Sequence, residues 1–176
     1  MRVTELLDAI AAALRNSKLF ADVRVHLDPY DLEDITVESF KPPAARVLFT
    51  VGKPIHRANG SMDLDCTVSL AIITKRAGRP DPAFASADVT ALNLTLATCQ
   101  IVQNDPYFGL GKLTAAQVDG FKVAVSEKAN EKGLAITVII FHSTLLTVVE
   151  ERDEIGAEIG TKPGPTVVLE GFDDGL

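Results

Sequence analysis

Residues Met62 to Thr74 constrain this chain more than any other stretch. Met62, Leu64, Cys66, Val68, Leu70 and Ile72 are apolar. The positions between them run Asp63, Asp65, Thr67 and Ser69 before turning apolar at Ala71 and Ile73. Successive side chains of a strand point to opposite faces, so the alternation predicts one long strand with a dry face and a mostly wet one. The wet face dries towards Ile73, and an apolar helix expected over Phe84 to Gln103 is its natural cover.

The elements before this strand follow from simpler patterns. Val3, Leu6, Leu7, Ile10, Ala13 and Leu14 recur at helical spacing, with Glu5, Asp8 and Arg15 off the stripe. They predict a core helix over Val3–Ser17, with Thr4 as its N-cap. A membrane-surface helix would need a basic cluster on the polar face, and this one has none. Val23, Val25 and Leu27 alternate with Asp22, Arg24 and His26 as a short strand. Asp28–Pro43 is a polar connection bearing Pro29, Pro42 and Pro43, and at that length both a partner-ordered loop and a solvated excursion fit. Ala44–Val51 is a second strand with Val47, Phe49 and Val51 on one face. Asn59-Gly60 is a tight-turn signal within the link Gly52–Gly60, so this strand and the long one are expected to pair antiparallel.

Gly78, Pro80 and Pro82 break the chain before the long helix. Its expected stripe is Ala85, Val89, Leu92, Leu96 and Cys99, with Leu94 and Ile101 on a second. In that register Leu92→Ala costs about 2–5 kcal/mol, the range for a buried leucine. Asn104–Gly111 is a loop. Thr114–Gln117 matches a capping box, although Gly120 limits any helix there to one turn. Phe121, Val123 and Val125 alternate as a strand, and Glu127–Gly133 is a polar connection, closed by Gly133. Leu134–Val149 is apolar on both faces, which suits the middle of a sheet or a position under a partner.

The fold class this predicts is α+β. A mixed, mainly antiparallel sheet of four to five strands is flanked by an N-terminal helix and one long helix over residues 1–149. Residues 150–176, with five glycines, Pro163 and Pro165, form an extended tail.

Charge divides at the same point. Residues 1–149 carry 15 Lys and Arg against 16 Asp and Glu, whereas residues 150–176 carry 2 against 8. A near-neutral body without basic clusters argues against phosphate binding and against a nucleic-acid-binding module. An acidic surface does let DNA pass without sticking. Cys66 and Cys99 fall at apolar positions, as buried free thiols do, and point to a reducing compartment. No run approaches the roughly 18 apolar residues of a membrane span, and the short run Ala9–Leu14, preceded by Glu5 and Asp8, is no signal peptide.

Chemical motifs are weak. Gly111-Lys112 would need a glycine at Pro106 and Ser or Thr at Leu113 to make a phosphate loop. Asp63 and Asp65 share a strand face without a third metal ligand beside them. His26, His56 and His142 have no motif spacing, and no catalytic signature occurs. Neither a metal nor a cofactor is expected.

The order of parts resembles a known family. ELLDAI at Glu5–Ile10, FADVRV at Phe20–Val25, PPAARV at Pro42–Val47, LDCTV at Leu64–Val68, then the long helix and KGLAITV at Lys132–Val138 carry the likeness. It is to a Mu-like phage and prophage family of the head–tail neck and, in outline, to the tail terminators of long-tailed phages. It spans residues 1–149 and leaves the acidic tail unmatched. Tail terminators form hexameric rings that cap the tail tube and join it to the head-side connector. The resemblance implies a virion protein, present in the host cytoplasm during assembly, with no active site and no cofactor. Its partners would be copies of itself, the tail tube protein and a head-side connector or stopper, with genomic DNA passing through unbound.

Three groups of residues are candidate contacts. They are Tyr30, Leu32 and Ile35 in the long loop, Leu145, Leu146 and Val148 at the end of the last strand, and Val167, Val168 and Leu169, which could add a strand to a neighbour. The alternatives are a connector stopper and, from a different class, a small soluble enzyme. Ring formation favours assembly, and a convergent pocket favours the enzyme.

Overall fold

Burial follows the alternation of the long strand only in part: Cys66, Val68, Leu70 and Ile72 are buried as expected, but so are Asp63 and Ser69 on the other face. The computed structural model describes residues 1–26, 40–75, 86–124 and 131–146. Within them the elements run α1 (Val3–Asn16), β1 (Asp22–His26), β2 (Ala44–His56), β3 (Met62–Lys75), α2 (Ser86–Asn104), β4 (Gln117–Ala124) and β5 (Leu134–Leu145). The strands form one sheet in the order β1-β2-β3-β5-β4. β1 pairs parallel with β2, and the other three pairings are antiparallel. The α+β expectation holds, with a mixed five-stranded sheet and two helices. β5 lies between β3 and β4, so its two apolar faces belong to a central strand of its own subunit.

Both helices cover the same face of the sheet. Leu6, Leu7, Ile10 and Leu14 of α1 and Val102 of α2 join one core with Val23, Val47, Cys66, Val68, Leu70, Ile72, Ile139 and Phe141. The Cα register puts these strand residues opposite one another, Val47↔Leu70↔Ile139 and Val68↔Phe141. The loop after α2 closes the end of this core with Phe108, Leu113 and Ala116. The Phe108 ring lies 6.0 Å from that of Phe141, and the Thr114 backbone N–H donates to the Thr144 carbonyl at 2.9 Å.

Several expectations are corrected. α2 does not cover the odd-numbered face of β3. The dry end of that face, at Ala71 and Ile73, lies beside Ala44, Phe40, Leu134, Ile136 and Val138. α2 is also rotated from the expected register. Ala91, Thr95, Thr98 and Val102 are buried, whereas Val89, Leu92 (39 % exposed) and Leu96 (54 %) face outward. At the start of α1, Arg2 is the N-cap and Thr4 lies inside the helix. The Glu5 carboxylate accepts the Arg2 backbone N–H at 3.2 Å, the acidic half of a capping box. Residues 114–116 form no helical turn.

The link Gly52–Gly60 is largely strand. β2 runs to His56, and the turn closes through Gly60 N–H to Arg57 C=O at 3.0 Å, with Gly60 at φ 82°. A bulge between Phe49 and Val51 shifts the register, so Val51 pairs with Thr67 and leaves the face of Val47 and Phe49. Gly52 then lies under the Phe49 ring, where a Cβ would stand 3.0 Å from the ring edge. Residues 51–60 are all exposed, and from Ile55 to Asp63 β2 and β3 run past the last β5 partner, Leu145 opposite Leu64, as a two-stranded arm whose root is Val51–Pro54. Leu27, Val125, most of Asp28–Pro43, Thr147–Val149 and the tail from 150 lie outside the described residues.

The rotation of α2 has a measurable consequence. Leu70→Ala should lower stability by about 2–5 kcal/mol, whereas Leu92→Ala should change it by no more than about 0.5 kcal/mol. Chemical denaturation of the two variants checks this, and a large loss at Leu92 would restore the register that hydrophobic spacing predicts.

Candidate functional site

Among the described residues those able to carry chemistry do not converge. His142 Nδ1 and Asp119 Oδ1 are 2.7 Å apart across β5 and β4, both on partly open surface. Asp63 is engaged by the Arg57 guanidinium at the root of the turn. Asp65 pairs in register with Thr144 and adds no ligand to it. Among the described residues no group of three or more His, Cys, Asp or Glu side chains is placed to hold a metal. No helix there is long and apolar enough to cross a membrane.

Among the described residues two charged side chains are buried, Asp63 and Arg46. Arg46 is fully buried, donating to Asp22 Oδ2 and to the Ala45 carbonyl, each at 3.1 Å, with the Phe40 ring 5.6 Å away. A buried guanidinium needs such partners, because an unpaired charge is costly to desolvate. The bond ties the short β1 to β2, which makes it a structural pair that sequence pattern did not reveal.

The unusual surface is apolar. Apart from Tyr107, the exposed large hydrophobic residues form two groups among the described residues. One comprises Val89, Leu92 and Leu96 on α2 with Phe121 and Val123 on β4. Leu92 and Val123 border the same cleft, together with Ala91, Ala135, Ile136 and Thr137. The cleft holds at most about 220 Å³ of empty space, open solvent included. Ligand pockets run to roughly 300–1,000 Å³. The other group is Val51 and Ile55 on the arm.

The apolar patch on α2 and β4 exists because of how α2 seats. Thr95 Oγ1 donates to the Ala91 carbonyl at 2.8 Å and lies 2.6 Å from Thr137 Oγ1 on β5. Thr98 Oγ1 donates to the Leu94 carbonyl at 2.7 Å. Small residues and back-bonded hydroxyls thus face the sheet, and the leucines one position round face out. The sequence of α2 contains a single charged residue, Asp88, whereas a solvent-facing helix ordinarily carries a charged face.

The candidate contact residues fare unevenly. Leu145 is wholly buried in its own subunit's core. Leu146 is partly buried, and its backbone N–H donates to the Lys112 carbonyl at 3.0 Å. Tyr30, Leu32, Ile35, Val148, Val167, Val168 and Leu169 lie outside the described residues. The exposed stripe of α2 escapes a reading by periodicity because its leucines look like core. No protein-family model matches the chain, and no curated protein matches it closely enough to carry an argument.

Cys66 is a free thiol buried in the core. Burial, reinforced by the Asp65 carboxylate, pushes its thiol up to about 11 from 9.0, and burial also raises Cys99. A folded-state value above the unfolded one means that stability is intact below about pH 9 and falls as pH rises towards 11. Between those limits the native chain should lose up to roughly 2–3 kcal/mol relative to Cys66→Ala. Urea denaturation at the two pH values measures this, and parallel behaviour of the two chains would contradict it.

Proposed function

We propose that this chain is a virion structural protein of the phage neck, a tail terminator whose copies close into a ring that caps the tail tube and joins it to the head-side connector. The phage assignment rests on the resemblance across residues 1–149. The assembly part rests on one observation, the outward apolar face that α2 and β4 leave uncovered. On this reading the chain works through shape and catalyses nothing. Its partners are further copies of itself, the tube protein and a connector or stopper.

The sheet suits a head-to-tail contact. Its two edge strands, β1 and β4, differ in length, pairing and neighbours. A contact between unlike surfaces closes into a ring when the rotation per copy divides a full turn. The near-neutral body also fits, since like charges repeated around a ring repel. The acidic segment 150–176 would reach along an adjacent ring or face the DNA channel, where it repels the phosphate backbone.

Native mass measurement and imaging of assembled tails test the proposal. Six copies in one annulus at the head-proximal end of the tube are expected. A chain that is monomeric in the particle, or absent from it, would end the reading.

A further inference from the structure

The two exposed apolar groups sit where one molecule cannot join them. Ile55 pairs with Asp63, and Val51 with Thr67, so both belong to the odd-numbered face of β3. Val123 pairs with Thr137, which pairs with Ile72 on the even-numbered face. From Asp63 to Ile72 is nine residues, about 30 Å along a strand. Ile55 and Val123 are thus far apart along the sheet, Val51 and Phe121 lie three residues apart at Thr67 and Leu70, and the two groups occupy opposite faces.

We infer that the β2–β3 arm of one copy docks through Val51 and Ile55 against the α2–β4 patch of a second copy. The inference rests on reading the chain as a self-assembling ring, and it names the contact that closes the ring. The arm is built to reach a neighbour. Residues 51–60 are exposed among the described residues, the Gly52–Phe49 packing holds the root and the Arg57–Asp63 pair holds the tip. Among the described strands β4 pairs only with β5, which leaves its outer backbone edge open to an extended partner.

Charge separates the two candidate occupants. The arm from Val51 to Ser61 brings Lys53 and Arg57 and no acid, with Asp63 and Asp65 alongside, so it is close to neutral. The patch is likewise almost uncharged, since α2 carries only Asp88 and Lys122 and Asp119 of β4 offset each other. The acidic segment 150–176 is the other candidate occupant. It would bring eight acids against two bases onto an apolar surface with no matching positive cluster. Desolvating those carboxylates opposes that contact.

Cysteine pairing on the full chain tests the contact. Variants I55C and L96C, each with Cys99→Ala and each melting like the native chain, are oxidised alone and mixed. The mixture should give a disulfide-linked dimer at least tenfold above either variant alone. No excess in the mixture, or efficient dimers of L96C alone, would overturn the inference, the latter because it marks a two-fold contact. An L96C thiol alkylated slowly at every protein concentration would also overturn it by placing the chain's own acidic segment on the patch. The double variant I55C/L96C separates this inference from the ring. An oxidised ladder ending at six upholds both. A ladder running past six upholds the contact and contradicts the sixfold ring. Hexamers in particles without the cross-link uphold the ring and contradict the contact.

Discussion

The hydroxyl pair Thr95–Thr137 and the small residues beside it together set the rotation of α2, and the character of the surface follows from it. Each hydroxyl has one proton. Thr95 gives its proton to the Ala91 carbonyl, and Thr137 therefore donates to Thr95 across 2.6 Å. Both side chains are fully buried, so turning the helix to bury its leucines would leave hydroxyls without partners in an apolar layer. An unmade buried hydrogen bond costs about 1–3 kcal/mol. Burying a leucine side chain is worth about 1.5–3 kcal/mol. The two terms are close in size, so neither alone fixes the helix, and the small residues decide it. Ala91 and the threonines let α2 lie near β5, and Leu92 and Leu96 are left as surface for another molecule to cover.

The long strand does a different job at each end. Between Cys66 and Ile72 β3 is the middle of a packed sheet, buried under both helices on its even-numbered face. Beyond Leu64 towards Met62 it leaves β5 and becomes one side of the arm. The bulge after Phe49 marks the change, because it turns Val51 away from the core and lets Gly52 accept the Phe49 ring. A single extra residue in β2 thereby makes an outward apolar edge from a sequence whose alternation alone points inward.

Much of this was legible in the residues, and the failures have physical causes. The alternation from Met62 gave β3 its two faces, since a half-buried strand writes its environment with a period of two. The central place of β5 followed from its lack of any polar face. α2 misled because it is apolar all round. Its threonines hide their polarity by bonding back to the helix, so hydrophobicity favoured Leu92 and Leu96 as core. The link Gly52–Gly60 reads as turn-rich, yet among the described strands Pro54 sits where β2 pairs with β3 alone, and an edge of this kind tolerates the missing N–H. The Arg46–Asp22 pair left no trace in periodicity, since burial of a charge depends on what folds over it. As for the site, the expected contact residue Leu145 proved to be core, and the outward face of α2 and β4 is visible only in three dimensions.

Assembly through the outward face of α2 requires that a second copy of the chain cover it. Hydrogen–deuterium exchange on the full chain, followed from dilute to concentrated solution, measures this directly. Amide protection should rise together over residues 51–60, 89–96 and 117–124 while the β3–β5 core stays unchanged. Protection at 89–96 that is independent of concentration, or a rise confined to other segments, would contradict it.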